Sequence, residues 1–141
     1  MQHILTLCVG NICRSPLAEV LLAREFPGYT VWSAGLGALV GAPADPISIA
    51  LAAQEGLDLS GHRAQQVNSQ MCQRADLILV MEQHHRAELE RRYPSTRGRV
   101  FCLAERDIAD PFRRSRSAFE IAYADIARGV EDWAGRIRKL G

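Results

Sequence analysis

The 141-residue sequence has a single lysine, Lys139, and no apolar run longer than about eight residues. A transmembrane helix needs about 20 apolar residues, so we expect no direct membrane insertion. The first residues carry neither a basic n-region nor a signal-peptide pattern, which predicts a cytoplasmic protein. Lysine plus arginine total 17 and acids total 16, so no chain-wide nucleic-acid surface is expected. These values predict one globular domain over residues 1–141.

Motifs for nucleotides and metals are also missing. Neither G-x-x-x-x-G-K-[ST] nor G-x-G-x-x-G occurs, so nucleotide binding has no support. The sequence has no compact Cys/His grouping beyond Cys8 and Cys13, so we expect no metal and no cofactor. Without a secretory signal, the four cysteines do not indicate a disulfide scaffold. Cys72 and Cys102 are interpreted as thiols of the core or near the surface.

Short apolar runs alternate with amphipathic segments along the chain. The β-rich runs predict four strands, at His3–Leu7, Thr30–Ser33, Leu77–Met81 and Val100–Leu103. The intervening patterns predict helices from Ser15, from Asp45-Pro46 to about Glu55, over Asn68–Arg74, over Glu82–Arg92 and over about Ser115–Lys139. Buried strands separated by helices predict an α/β fold: a four-stranded parallel sheet with helices on both faces, in a three-layer flavodoxin- or Rossmann-like arrangement.

Local signals refine two of these helices. Ser15-Pro16 suits an N-cap followed by a first helical residue, with Glu19 in the first turn. The pair His84-His85 lies on a polar helix, so both side chains are expected to be solvated.

The segment Cys8-Val9-Gly10-Asn11-Ile12-Cys13-Arg14-Ser15 joins the first strand to the first helix. A loop closing onto a helix N-terminus directs backbone N–H groups inward, which predicts a nest for an oxyanion. Arg14 adds a fork for phosphate oxygens, and Gly10 allows backbone conformations that other residues resist. The positive field favours the thiolate of Cys8, which could attack phosphorus and form a cysteinyl-phosphate. A buried cysteine beside a surface arginine is the simpler alternative, but the spacing and the context favour the functional interpretation.

Asp110-Pro111 supplies a candidate general acid, at a strand end like Cys8. A phenolate leaves more easily when it is protonated, so an acid about 3 Å from the leaving oxygen is required. The same carboxylate could then activate water. Asp110 could instead cap the following helix, and Asp107 is a rival acid on the same loop. Phe112 could stack on a substrate ring or simply pack.

The run Cys8–Pro16 resembles the phosphate-binding loop of the low-molecular-weight protein-tyrosine phosphatases. The resemblance covers essentially the whole chain, through Ser33-Ala34-Gly35, Asp45-Pro46, Gly61-His62, Asp76–Met81 and Asp110-Pro111-Phe112. The runs Leu36–Gly41 and Arg113–Arg116 are similar to a bacterial subgroup associated with exopolysaccharide export and its tyrosine kinases.

This resemblance implies a metal-independent phosphatase in which Cys8 is the nucleophile, Arg14 clamps phosphate and Asp110 is the general acid and base. Its implied partners are phosphotyrosine proteins, among them a bacterial tyrosine autokinase. Supporting roles fall, by the same resemblance, on the loop-shaping Asn11, the thiolate donor Ser15, the network residues Ser33 and His62, and the slot-lining Leu39 and Phe112.

Three further questions stay open at this level. Cys13 is either a resolving thiol that forms a reversible disulfide with Cys8 or a passive buried cysteine. The function could instead be an arsenate reductase of the same fold, although no cysteine pair follows Cys72, or a non-catalytic phosphate-binding module, although Asp110-Pro111 argues against it. The cluster Arg113, Arg114 and Arg116 predicts a basic rim that selects acidic or multiply phosphorylated segments.

Overall fold

The computed structural model describes residues 2–140, so the expected domain extends one residue beyond the described part at each end. Four strands form one parallel sheet: β1 (His3–Cys8), β2 (Thr30–Gly35), β3 (Leu77–Val80) and β4 (Val100–Cys102). The helices within these residues are α1 (Arg14–Glu25), α2 (Pro46–Gln54), α3 (Ser69–Arg74), α4 (Gln83–Arg92) and α5 (Arg116–Leu140), with a short 3-10 turn at Pro94–Thr96.

The sheet is covered on both faces, as its continuous apolar strands predict. Alternate residues of β3 show the two sides: Leu77 and Leu79 belong to the core that contains α1 and α5, whereas Ile78 and Val80 belong to the core that contains α3 and α4. The predicted parallel α/β fold is therefore confirmed.

In the long helix α5, the sequence predicts an apolar stripe of seven residues at spacings of three and four. Six of them are buried, namely Phe119, Ala122, Ile126, Val130, Trp133 and Ile137, whereas Leu140, at the end of the helix, is exposed. Close packing against the loop after β4 depends on Gly129. A Cβ atom there would lie 2.8 Å from the carbonyl oxygen of Leu103. No helix within residues 2–140 is both long enough and apolar enough to cross a membrane.

The start of α1 differs from the prediction. The helix begins at Arg14 with Cys13 as its N-cap residue, so Ser15 is not the cap and Glu19 lies beyond the first turn. The reason is that both side chains are used elsewhere: the Ser15 hydroxyl contacts the Cys8 sulfur, and Glu19 accepts a hydrogen bond from Ser33. By contrast, the cap that Asp45-Pro46 predicts for α2 is present, because Asp45 accepts a hydrogen bond from Ile47 N–H. Asn68, predicted as the first residue of its helix, instead caps α3 by accepting a hydrogen bond from Met71 N–H.

Strand order positions the candidate site. The order is β2-β1-β3-β4, so the chain leaves β1 for a neighbour on one side and later returns to β3 on the other. The gap between the carboxyl ends of β1 and β3 is therefore the switch point at which open α/β sheets bind ligands. The loops that follow β1, β3 and β4 meet at this gap.

Candidate active site

The loop between β1 and α1 is held from outside through its carbonyl oxygens. The carbonyls of residues 8, 9, 10, 11 and 12 accept hydrogen bonds, in that order, from Leu36 N–H (2.9 Å), Gly37 N–H (3.0 Å), Leu39 N–H (3.1 Å), His62 Nε2 (2.7 Å) and Asp45 N–H (2.9 Å). Because the C=O and N–H of a trans peptide point in opposite directions, the N–H groups of residues 9–13 face the centre of the loop. A ring of inward N–H groups suits an oxyanion.

A glycine makes one of these contacts possible. A Cβ atom at Gly35, at the end of β2, would lie 2.3 Å from the carbonyl oxygen of Val9. Only a residue without a side chain lets the end of β2 approach the loop so closely. The chain that follows β2 can therefore form the outer wall of the loop.

Cys8 lies at the floor of the loop with 2% of its surface exposed. Its Sγ atom is 2.9 Å from the Ser15 hydroxyl and 3.5 Å from the Ser15 backbone N–H. The Asn11 amide donates to the same Ser15 oxygen at 2.9 Å, so the Ser15 hydroxyl proton is available to the sulfur. A thiolate at this position would have two donors directed at it.

Asn11 connects the loop to β2. Its backbone φ is 60°, in the left-handed region that asparagine tolerates better than most residues. The side-chain amide donates to both Ser15 and Ser33 at 2.9 Å, and its oxygen accepts from Gln65 N–H at 2.9 Å. The Ser33 hydroxyl in turn donates to Glu19 at 2.6 Å. A hydrogen-bonded chain thus extends from Cys8 to a carboxyl group on α1.

Sequence reasoning placed Asn11, Ser15, Ser33 and His62 in one network, and the structure brings these four together. Sequence reasoning did not place Glu19 or Gln65 in this network. Burial raises the pKa of the Glu19 carboxyl, while the hydrogen bond from Ser33 and the charge of His62 act in the opposite direction.

Arg14 is the most deeply buried charged side chain of the site, with 2% of the side chain exposed. Its Nη1 donates to Glu82 Oε2 and to the carbonyl oxygen of Ile108, both at 2.6 Å. Its Nη2 is 3.8 Å from Asp110 Oδ2. Anchored by residues that follow β3 and β4, the guanidinium lines the cavity above Cys8, where a phosphate oxygen would meet it.

Glu82 is the anchor of Arg14 that sequence reasoning did not identify. Burial raises the pKa of its carboxyl, but the hydrogen bond and charge of Arg14 lower it further, so the pKa lies below its ordinary value. Its two oxygens also face the neighbouring imidazoles: Oε1 is 3.1 Å from His84 Nε2, and Oε2 is 3.5 Å from His85 Nε2.

The expectation that both histidines of this pair are solvated was wrong for one of them. The side chain of His84 is 71% exposed, whereas that of His85 is 1% exposed. Successive residues of a helix point about 100° apart, so one can face the core while the other faces water. Burial, followed by the charge of Arg14, lowers the pKa of His85 to about 4.

The two rival carboxylates of the loop after β4 have different positions. Asp107 accepts a hydrogen bond from Gln83 N–H at 2.9 Å and so serves the N-terminus of α4. Asp110 lines the cavity that holds Cys8, keeps 45% of its side chain exposed and accepts from Phe112 N–H at 3.1 Å. It closes a local turn and does not cap α5, which begins at Arg116. Of the two, only Asp110 lines the cavity.

The cavity has a volume of about 130 Å³. Leu39 and Phe112 form part of its wall and are 47% and 37% exposed, so apolar surface is presented at the opening. The cavity is lined by the loop residues and their neighbours, namely Cys8, Val9, Gly10, Ile12, Cys13, Arg14, Gly37, Leu39, Asp110 and Phe112. Ser33 and His62 contact the loop through Asn11.

The cysteines are free thiols. Cys72 is buried and Cys102 is partly buried, as expected. Cys13 lines the same cavity as Cys8, and burial, reinforced by the charge of Asp45, raises its pKa. A raised pKa disfavours the thiolate, which is the reactive form of a cysteine.

Comparison with known proteins agrees with this geometry. The model of the family described as low molecular weight phosphotyrosine protein phosphatase matches residues 3–140. The chain belongs to this family. A similar relative, named a probable low molecular weight protein-tyrosine-phosphatase EpsP, from Ralstonia solanacearum, is 52% identical over 100% of this chain and 99% of its own.

Solved structures show the same fold in members of the phosphatase family. Wzb from Vibrio vulnificus, solved in complex with benzylphosphonate, has a TM-score of 0.92 and 40% identity over 96% of this chain and 98% of its own. The YwlE arginine phosphatase from Geobacillus stearothermophilus also has a TM-score of 0.92, with 28% identity over 99% of this chain and 95% of its own. The fold therefore accommodates more than one phosphorylated side chain.

Proposed function

We propose that residues 1–141 form one phosphatase domain that hydrolyses phosphotyrosine through a cysteinyl-phosphate. The observation that carries the proposal is the loop of residues 8–13: its carbonyls are bonded outward, its N–H groups face inward, and the Cys8 sulfur lies at its floor. A phosphate dianion held in this nest places phosphorus above the sulfur. The inward N–H groups and the Arg14 fork then stabilise the equatorial oxygens as charge shifts onto them.

In the first step, the Cys8 thiolate attacks phosphorus and an S–P bond forms as the P–O bond to tyrosine breaks. The leaving phenolate takes a proton from the carboxylic acid of Asp110. In the second step, the Asp110 carboxylate removes a proton from water, whose oxygen attacks phosphorus. The S–P bond breaks, phosphate leaves, and the Ser15 hydroxyl stabilises the departing thiolate.

Tyrosine is favoured as the substrate side chain by the wall of the cavity. Leu39 and Phe112 present apolar surface where the phenyl ring of phosphotyrosine would lie. The relative from Vibrio vulnificus binds benzylphosphonate, which has an aromatic ring next to its phosphorus group. Phosphoarginine is the second candidate, because the relative from Geobacillus stearothermophilus is an arginine phosphatase.

The test is turnover of matched peptides that carry phosphotyrosine, phosphoserine or phosphoarginine, with EDTA present. We expect phosphotyrosine to be preferred, since the shorter phosphoserine cannot reach the floor of the cavity. A preference for phosphoarginine would replace the proposed substrate, and thioredoxin-coupled reduction of arsenate without peptide turnover would indicate the arsenate reductase. Binding of phosphate with no turnover of any substrate would indicate a non-catalytic module.

Two substitutions test the assigned roles. Cys8→Ser should abolish turnover while the fold is retained, and near-normal activity would refute the covalent step. Asp110→Asn should reduce kcat more for aryl phosphates with poor leaving groups than for p-nitrophenyl phosphate, because only poor leaving groups need the proton. Equal losses for both would show that Asp110 is not the acid.

We further propose that the protein acts in the cytoplasm on a bacterial tyrosine autokinase of exopolysaccharide production. Reactive thiols persist in a reducing compartment, and the subgroup motifs of the sequence support this substrate. The exposed Arg113, Arg114 and Arg116, beside the cavity wall at Phe112, would then select acidic or multiply phosphorylated segments. Dephosphorylation of such a kinase, with and without neutralisation of the three arginines, is the test.

A further inference from the structure

His85 has polar atoms that the fold does not satisfy. Its side chain is 1% exposed, and neither ring nitrogen has a hydrogen-bond partner among the residues that the structure describes. Burying a polar group without a partner is unfavourable, so an unsatisfied buried nitrogen often marks a place for water or an ion. The nearest carboxylate oxygen is Glu82 Oε2, 3.5 Å from His85 Nε2.

Three potential metal ligands converge at this point. One donor atom from each of Glu82, His84 and His85 lies within 4.8 Å of the other two. Each imidazole faces a different oxygen of the carboxylate: His84 Nε2 is 3.1 Å from Glu82 Oε1, and His85 Nε2 is 3.5 Å from Glu82 Oε2. Ligand atoms about 2.0 Å from a tetrahedral Zn²⁺ lie roughly 3.3 Å apart, so an ion bound through one Glu82 oxygen requires the donor atoms to move closer together than the 4.8 Å within which they lie. The side chain of His84 is exposed, so its ring can rotate and bring its nitrogen closer to the other two donor atoms.

We propose that Glu82, His84 and His85 bind a borderline divalent cation of the Zn²⁺ type, in competition with Arg14 for the Glu82 carboxylate. Two imidazoles and a carboxylate are a ligand set that Zn²⁺ accepts, with a fourth position left for water. The sequence predicted no metal because only Cys/His groupings were considered, and here the third ligand is a glutamate.

A cation at this site competes with the positive charges that surround the Glu82 carboxylate. Arg14 Nη1 is 2.6 Å from Glu82 Oε2, and the N-terminus of α4 also carries partial positive charge, so both oppose a cation. Binding therefore draws the carboxylate away from the guanidinium. The effect on turnover rests on the proposed function. When Glu82 no longer holds Arg14, the guanidinium binds the transferring phosphoryl group less well, so the cation lowers turnover.

The binding half is tested without any activity measurement, in full-length protein that carries Cys8→Ser to remove the reactive thiolate. Co²⁺ titration should give visible bands of tetrahedral coordination at one ion per chain, without a sulfur-to-metal charge-transfer band. His84→Asn should weaken Co²⁺ and Zn²⁺ binding about tenfold or more, because loss of even an outer-shell partner of a ligand typically costs at least about tenfold in metal affinity. The matched control is His3→Asn, which removes another exposed histidine paired with a carboxylate, Asp76.

Equal metal affinity in the His84→Asn and His3→Asn proteins would overturn the site. The inhibitory half is tested with Cys8 intact, on p-nitrophenyl phosphate, with each variant normalised to its own activity in EDTA. The Zn²⁺ concentration for half-inhibition should rise about tenfold in His84→Asn and stay unchanged in His3→Asn. Equal inhibition of both variants would place the inhibitory metal on the Cys8 thiolate and refute the coupling, even if turnover itself follows the proposed mechanism.

Discussion

The ion pair between Arg14 and Glu82 makes a measurable prediction about stability. Replacing Glu82 with Gln leaves a guanidinium that is 2% exposed with only the more distant carboxylate of Asp110, at 3.8 Å, as a charged partner. Removal of one member of a fully buried pair costs about 3–5 kcal/mol. Glu82 is 20% exposed, and Arg14 keeps its bond to the Ile108 carbonyl, so we expect a smaller loss, about 2 kcal/mol.

This loss converts into a shift of the melting temperature. A chain of 141 residues has an unfolding entropy near 0.3 kcal/mol per degree at its midpoint, from about 2.1 cal/mol/K per residue. The Glu82→Gln protein should therefore melt roughly 7 °C below the wild type at pH 7 in phosphate-free buffer. The control is Glu88→Gln on the same helix. The Glu88 carboxylate is 26% exposed, but its partners Arg91 and Arg92 are 72% and 37% exposed, so they stay hydrated without it and the melting temperature should change little.

The pH dependence gives the prediction a second, independent check. The pKa of Glu82 is lowered in the folded state, so its contribution to stability is complete above the ordinary value of 4.5 and is lost as the pH falls through the lower folded value. The difference between wild type and Glu82→Gln should hold from pH 7 to about pH 5 and shrink below about pH 4. Equal melting temperatures at pH 7, or a difference that persists unchanged at pH 3, would refute the argument from charge.

Two other predictions concern backbone positions. Gly129→Ala should destabilise the fold by about 1–3 kcal/mol, because the new Cβ would lie 2.8 Å from the Leu103 carbonyl oxygen. Gly135→Ala on the same helix meets no atom within 4 Å and should stabilise the fold by about 0.5–1 kcal/mol. Equal changes in the free energy of unfolding, measured in urea, would contradict the role of packing at Gly129. Asn11→Ala should reduce kcat/KM and stability together, because it removes buried hydrogen bonds to Ser15 and Ser33 and places alanine at a φ of 60°. Asn11→Gly removes the same hydrogen bonds without the backbone strain. A glycine variant as active as wild type would show that the hydrogen bonds of the Asn11 side chain are dispensable.

Much of the candidate site could be predicted because several of its residues are close together in the sequence. The proposed nucleophile, Cys8, and the proposed phosphate clamp, Arg14, are six positions apart in the sequence, and the strand–loop–helix pattern places both at the carboxyl end of the sheet. From the sequence, Asp110 was preferred to Asp107 because a proline follows it and because the family resemblance matches it, and the contacts separate the two carboxylates in the same way. Asp107 bonds to α4, and only Asp110 lines the cavity.

The residues that escaped prediction reach the loop from distant parts of the chain. Glu82 is 68 positions from Arg14, and Gln65 is 54 from Asn11, so no local spacing indicates either contact. Glu19 is near Asn11 in the chain, but it joins the network through Ser33 on β2, which is 14 positions away. The burial of His85 beside an exposed His84 depended on which side of α4 meets the core.

The amino-acid sequence by itself determined the fold class and the family, because apolar periodicity and a seven-residue motif are local properties. Only the tertiary structure decided how Arg14 is held, which carboxylate faces the cavity and which groups are left without partners. Those properties depend on distances between residues of different elements, which are set by the order of the strands and the packing of the helices.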